Sequence, residues 1–388
     1  HEDCRRQRQM CIRDRVLNPG FQTELLVPVV SPDTNQIVPG SVRRVEVLRD
    51  GASAVYGADA VAGVVNTILR PDLDGGYLEG GYRASMGTSL YSYSLRGGYG
   101  FDFADGRGNV SLYGYYFHEN GAPSSIRDYA ADSDRRPFVE GTEFEGDLSF
   151  DNSSNDTPWG EFDIQASRSA TDLNDDDFFV RPCGAFEDVS AISDSRFLDL
   201  GNGLCADNGT TVNRAQRYNI EGDRDLFSEK DRYSFAGLFS YELSPSVEFY
   251  AEGSFYRSDS NRNLEQRSNL TAVPIAVLPT AYWNPLGAAT LPDGSPNPNR
   301  LNSGIDGIGP DGATIIIEDY RPIDAGPRNV RVDKNVYRIV AGLRGDLWGW
   351  DFDTGFLYSQ ANSTDFTSNR ISNTLFEAAI NRSDATAY

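Results

Sequence analysis

From Gly75 onward the chain is a succession of stretches in which apolar and polar residues alternate. The clearest runs from Ser89 to Phe101: Tyr91, Tyr93, Leu95, Gly97, Tyr99 and Phe101 fall on one face, Ser92, Ser94, Arg96, Gly98 and Gly100 on the other. A period of two is the mark of a β-strand with one apolar face. The pattern predicts strands near 76–85, 89–101, 108–119, 143–152, 158–170, 230–242, 247–258, 334–346 and 350–361. A soluble sandwich with its apolar faces inward would show the same alternation. The connections discriminate. Those at 102–107, 153–157, 243–246 and 347–349 are short, those at 120–142, 171–229 and 259–333 are long, and the two kinds alternate after a first short hairpin at Met86-Gly87. An up-and-down barrel with turns on one side and loops on the other gives that asymmetry, and a sandwich has no reason to. No run of about 18 apolar residues exists for a transmembrane helix, whereas barrel strands need be apolar only at alternate positions.

Ahead of this region lies Val42 to Arg70, VRRVEVLRDGASAVYGADAVAGVVNTILR, which reads as strand, short helix, turn and strand. Val45 and Val47 alternate with Arg44, Glu46 and Leu48, as in a half-buried strand. Asp50 is placed to cap a helical turn over Ala52–Val55, and Gly57 to end it in a left-handed conformation. Gly63 frees the backbone before the β-branched run Val64, Val65, Thr67 and Ile68.

The wording of this stretch resembles the end of the plug domain of TonB-dependent outer-membrane receptors. Arg44, Glu46, Leu48, Arg49, Ser53, Tyr56, Gly57, Ala60, Gly63, Val64 and Asn66 fall on the family's pattern in register. Two departures are Asp50-Gly51, where Gly-Pro is usual, and Ala62, where a glycine is usual. The resemblance implies an all-β fold, a partial transmembrane antiparallel barrel preceded by the C-terminal part of a small α/β plug. A barrel of this family has about 22 strands, of which nine are expected here. Residues 16–72 would then be plug and 73–388 the first part of the barrel. Residues 1–15, HEDCRRQRQMCIRDR, differ in composition from the rest and are expected to be a non-native leader. The resemblance further implies an importer of the Gram-negative outer membrane, energised by the TonB–ExbB–ExbD complex and set among outer-membrane lipid and lipopolysaccharide. Its ligand would be a siderophore, cobalamin, an oligosaccharide or a peptide. It also implies that Arg43 or Arg44, with Glu46, makes ion pairs to the barrel wall; a plain solvated strand face is the other reading. A secreted or surface β-sandwich that binds a ligand without transport is the alternative for the whole chain.

Composition narrows the chemistry. The 388 residues carry 57 acidic and 35 basic side chains, a formal charge of −22, and mean hydropathy is −0.47. Nucleic acid needs a basic face and is not an expected partner. His1 and His118 are the only histidines, and no histidine is placed to activate Ser53 within Gly51–Val55. Neither an enzyme nor a cofactor is implied. His118 ends a strand at Tyr115-Tyr116-Phe117 and reads as an interfacial barrel residue.

The long connections hold the remaining candidates. Cys183 and Cys205 sit in the longest one and would pair in an oxidising periplasm. The same connection has 13 Asp or Glu against 5 Arg between Thr171 and Glu229. Within it, Asp175, Asp176 and Asp177 are either calcium ligands or a solvated face. Tyr282 and Trp283 offer flat apolar faces with polar edges, suited to stacking on a ligand or to packing a minicore of the loop itself.

Overall fold

The computed structural model describes residues 22–24, 27–29, 33–49, 51, 63–154, 156–165, 177–182, 197–201, 204–207, 217–268, 275–300 and 308–386. They divide into two compact units, 1–122 with 227–262 and 330–366, and 123–226 with 263–329 and 367–388.

In the first unit, β1 (Val42–Leu48) and β2 (Val64–Leu69) pair antiparallel as a two-stranded ribbon. Val45 and Val47 do not form its half-buried face: they are 54% and 62% exposed, because no second layer covers a two-stranded ribbon there among the described residues. The main element is a seven-stranded antiparallel sheet of β3 (Gly75–Ala84), β4 (Tyr91–Phe103), β5 (Gly108–Glu119), β6 (Glu229–Ser244), β7 (Val247–Leu264), β8 (Arg328–Leu347) and β9 (Trp350–Ser368). Its order is β9-β8-β7-β6-β5-β4-β3, so every strand lies beside its sequence neighbour. Such a meander is what an up-and-down wall requires.

Seven strands stand where nine were expected. The stretch 143–152 is not a strand: it carries turns and a 3₁₀ turn over Leu148–Phe150. Gly141 and Gly146 take φ of 73° and 84°, and the Asp147 carboxylate accepts from the amide of Ser149, so the backbone is bent where alternation suggested extension. Of 158–170, only Glu161–Gln165 is described as a strand, and it pairs in a different sheet. The two strands drop out as a pair, which preserves parity. Short turns at 104–107, 245–246 and 348–349 still mark one end of the sheet, and the long connections 120–228 and 265–327 leave the other.

The two faces differ. One exposes Leu78, Leu95, Leu112, Phe235, Ile339 and Phe356, and Leu78 is 74% exposed. A sandwich would bury this face. The opposite face carries Ser92, Asn109, Ser111, Ser234 and Ser258, all buried, together with the ion pairs Arg338–Glu252 and Arg344–Glu248. A buried apolar cluster on this face is formed by Val38, Leu73, Tyr113 and Leu238.

The second unit is built from the long connections. Its six-stranded sheet runs 197–201, 204–207, 177–182, 161–165, 314–319, 275–277. Strand 161–165 of one connection pairs with 314–319 of the next, with Asp163 opposite Ile316. Arg321, 5% exposed, donates to the carbonyl of Asp156 at 3.2 Å, to Ser154 Oγ at 3.0 Å and to the carbonyl of Gln266. After the helix Asn373–Ile380, Asn381 bonds the amide of Leu278 at 2.7 Å and the carbonyl of Ala276 at 2.8 Å.

Candidate functional site

The segment that precedes β1 and the linker that follows β2 both rest on the polar face of the seven-stranded sheet. Asp33 begins a 3₁₀ turn over Thr34–Gln36 by accepting from the amide of Asn35 at 3.1 Å. Its second oxygen accepts from Tyr256 Oη of β7 at 3.4 Å and lies 3.9 Å from Lys334 Nζ of β8. Asn35 accepts from Arg232 of β6 at 3.1 Å. One short turn therefore reaches three adjacent strands. The sequence signal for it was the Asp-Thr-Asn run, whose Asx chemistry favours such a cap, but nothing there announced partners about two to three hundred residues away.

The linker is held as closely. The amide of Leu73 donates to Ser111 Oγ at 3.0 Å, and Asn109 Nδ2 donates to the carbonyl of Leu73 at 3.1 Å. Tyr77 Oη donates to the carbonyl of Gly40 at 3.1 Å. The approach is close enough that a Cβ at Gly100 would collide with the Leu73 backbone.

Arg44 and Glu46 pair with each other at 2.7 Å within β1, and Asn66 of β2 donates to Glu46 at 3.4 Å. Arg43 pairs with Asp72 of the linker. None of these pairs reaches the seven strands of the sheet; Leu69, at the end of β2, packs against the sheet's buried cluster, and the hydrogen bonds to the sheet come from residues 33–40 and 70–73. Gly63 takes φ of 152° where its Cα passes the carbonyl of Leu48, and a Cβ there would lie 2.6 Å from that oxygen. Tyr56, Gly57 and the expected helical turn lie outside the described residues.

In the second unit, the rings of Tyr282 and Trp283 meet edge to face at 4.9 Å. Trp283 is 51% exposed, whereas Asn284 and Leu286 beneath it are buried. Asn284 explains the turn: its amide nitrogen donates to the carbonyls of Leu278 and Ala313, each at 3.0 Å, and its oxygen accepts from the amide of Leu286 at 2.8 Å. A minicore and an outward indole coexist at this point. Cys183, Asp175 and Asp176 lie outside the described residues. Cys205 pairs by backbone with Arg181, two residues before Cys183, and Asp177 with Asp163. Arg321, which ties three segments of the second unit together, gave no sequence signal.

On the exposed apolar face, aromatic rings gather in two rows. Tyr82, Tyr91, Tyr93, Tyr116, Tyr233 and His118 form a chain of contacts of 4.9–6.4 Å near the end from which the long connections leave. Within it, Asp231 accepts from Tyr116 Oη at 2.9 Å and sits 3.1 Å from His118 Nδ1. Phe101, Phe103, Phe239, Phe249 and Tyr241 form the second row near the short turns. Two aromatic rows with an apolar band between them are the pattern that transmembrane β-barrels carry on their outer surface.

Residues 27–64 match the model of the TonB-dependent Receptor Plug Domain. No curated protein sequence matches significantly. Among solved structures, the chain is similar to the siderophore receptor PirA of Acinetobacter baumannii, at 11% identity and TM-score 0.28, over 91% of this chain and 38% of that one. It is also similar to the ferric-catecholate import receptor Fiu of E. coli K12, at 10% identity and TM-score 0.18, over 84% of this chain and 56% of that one. The chain thus spans about half or less of the length of these receptors.

Proposed function

We propose, from the premise that this chain carries the plug segment of a TonB-dependent receptor, that it serves as an outer-membrane receptor and importer of a scarce ligand in a Gram-negative bacterium. The observation that carries the reading is the two-faced sheet. Its polar face receives the plug segment through Asp33, Asn35 and Leu73, while its other face is apolar and bounded by aromatic rows. Energy would come from the TonB–ExbB–ExbD complex, whose pull has to break few contacts here. The plug segment's hydrogen bonds to β6, β7 and β8 are exchangeable, each worth about 0.5–1.5 kcal/mol net, and its apolar hold on β6 is the packing of Val38 with Leu238. Trp283, exposed above a rigid Asn284-pinned turn, is the ring we assign to ligand stacking, with Tyr282 at its edge. Replacing Trp283 by Ala should weaken ligand binding by roughly tenfold, the scale of a lost aromatic contact. Cys183 and Cys205 are proposed to pair during passage through the periplasm. Mass spectrometry on protein exported by that route should find the disulfide, and two free thiols would remove it.

Orientation tests the whole reading. Cysteines placed at Asp105 and Ser244, at the short-turn end, should react with an impermeant label only after the outer membrane is opened. One placed at Asn263, at the other end, should react on intact cells. Labelling of all three on intact cells would overturn the barrel assignment.

A further inference from the structure

We infer that the second unit holds a binding site, between Arg267, Arg328 and Arg370, for a small multivalent oxyanion, one that carries two or more phosphate or carboxylate groups. The inference goes beyond the importer reading and depends on the second unit alone. Two observations carry it: the way the backbone gathers these arginines, and the shortage of carboxylates where they meet.

The gathering is done by Gln266, which is 4% exposed. Its Nε2 donates to the carbonyl of Gly326 at 2.6 Å and to that of Asn369 at 2.7 Å, and its own backbone carbonyl accepts from Arg321. Segments 60 and 103 residues away in the chain thus share one buried amide. Each brings an arginine to this hub: Arg267 follows Gln266, Arg370 follows Asn369, and Arg328 lies two residues past Gly326. Two further bonds tighten the corner. Arg328 Nε donates to the carbonyl of Glu265 at 2.8 Å, and Asn369, at φ of 59°, donates through Nδ2 to the carbonyl of Pro327 at 3.0 Å. None of these bonds joins an arginine to a carboxylate.

Charge is unbalanced at this corner. The charges that bear most on the Arg328 guanidinium are one carboxylate, Glu265, and three arginines, Arg267, Arg370 and Arg321. Glu265 is already paired with Arg224 at 3.0 Å, and Asp156 with Arg321 at 3.5 Å. Arg267 and Arg370 are exposed and have no ion pair among the described residues, and the guanidinium of Arg328 bonds only the Glu265 carbonyl there. Elsewhere this acidic chain, with 57 carboxylates to 35 basic side chains, supplies its arginines readily: Arg136, Arg338 and Arg344 each pair with an Asp or Glu.

Guanidinium groups gathered at one corner repel one another. An anion entering between them removes that repulsion and gains charge-assisted, bidentate N–H···O contacts, for which the planar guanidinium fork is suited. A singly charged ion satisfies one fork. Two or three anionic groups on one small frame satisfy the set, so the corner selects for multivalency. Its local positive field also draws such an ion toward a chain whose formal charge of −22 would otherwise repel it. Phosphate and carboxylate share this chemistry, and the choice of probes separates them.

The test titrates the full chain in detergent, at fixed ionic strength, with inorganic pyrophosphate, tricarballylate and acetate, and reads binding by calorimetry. Pyrophosphate or tricarballylate should bind and acetate should not; whichever of the two binds more tightly names the group the site prefers. Arg267→Gln and Arg370→Gln remove a charge at exposed positions and keep most of the length, so the thermal midpoint should stay put. Each should weaken binding by about tenfold, the scale of one charge-assisted hydrogen bond. Arg382→Gln, in the same unit, changes an exposed arginine whose guanidinium bonds only Thr386 among the described residues, and should leave binding unchanged. Acetate binding as tightly as the multivalent ions, no binding of either multivalent ion, or equal affinity in the wild type and both corner variants overturns the site. Equal weakening in Arg382→Gln does so too, because the ions would then be answering to overall charge. None of these results touches the importer reading, which the labelling test decides separately.

Discussion

The hydroxyl of Tyr113, on β5, donates to the carbonyl oxygen of Arg70 at 2.6 Å, joining the wall to the residue where the plug ribbon ends. Tyr113 is 2% exposed and packs in the cluster with Val38, Leu73 and Leu238. Tyr113→Phe keeps the ring in that cluster and deletes only the donor. It should cost about 1–2 kcal/mol through the carbonyl left unpaired, measured as faster proteolysis of the linker 70–74. Leu238→Ala removes packing volume from the same cluster and should cost more, about 2–5 kcal/mol.

Gly100 tests the same seat from the backbone side. An added Cβ would meet the carbonyl oxygen and carbon of Leu73, atoms that cannot swing aside as a side-chain end can. Gly100→Ala should therefore displace the linker, at a cost of roughly 1–3 kcal/mol, and protease sensitivity should again report it. Gly80 lies in the same sheet with nothing within 4 Å of a built Cβ, so Gly80→Ala is the matched control and should be silent.

Much of this architecture was legible in the chain, for reasons that differ by element. Strands such as 89–101 declare themselves because their two faces meet different media, and the face pattern of Tyr91 to Phe101 is retained in β4. The alternation of turns and long connections survived even though 143–152 was misread. Phe144, Leu148 and Phe150 alternate with polar residues there, but Gly141 and Gly146 take positive φ and bend the backbone. The contacts of 33–41 with the sheet gave no local signal for another reason. Arg44 and Glu46 are charged neighbours on one strand face and satisfy each other, whereas Asp33 finds its partners only once β7 and β8 are side by side. Pairings of that range depend on register, and local pattern does not encode it. Arg321 is the extreme case: a lone arginine in a polar loop looks solvated until three segments converge on it.

That convergence makes Arg321 the most sensitive position of the second unit. Its guanidinium serves Asp156, Ser154 and Gln266 together, and its own amide donates to the carbonyl of Thr157 at 2.9 Å. Arg321→Met would fill much of the volume while stranding several buried acceptors. A loss of about 3–5 kcal/mol is expected, as when one partner of a buried charged network is removed, with the second unit unfolding at lower denaturant than the first. Arg382→Met, on an exposed segment whose guanidinium bonds only Thr386 among the described residues, should change the midpoint little.

Acid should open the second unit at a defined place. The Asp134 carboxyl is held below the ordinary aspartate range, chiefly by its side-chain hydrogen bonds to Arg136 at 2.7–3.1 Å, against burial that pushes the other way, with the Arg136 amide adding to the effect. In the unfolded chain the same group titrates near 3.9. A carboxylate with a depressed folded value binds fewer protons folded than unfolded. Its contribution to stability is therefore complete above about pH 4 and is lost as pH falls through the folded value. The backbone bridge between Asp134 and Asp151 closes this turn, and Arg136 also lies 3.8 Å from Asp151. Loss of the Asp134 charge should thus loosen 134–151 as a block, before the six-stranded sheet responds. Pepsin cleavage after Phe138, Phe144 and Leu148 should rise steeply as pH drops below 4 in the wild type. In Asp134→Asn the same sites should already be open at neutral pH to a protease of similar preference, with little further change on acidification. Equal protection of the two proteins across the range would show that the Arg136 pairing does not hold this turn.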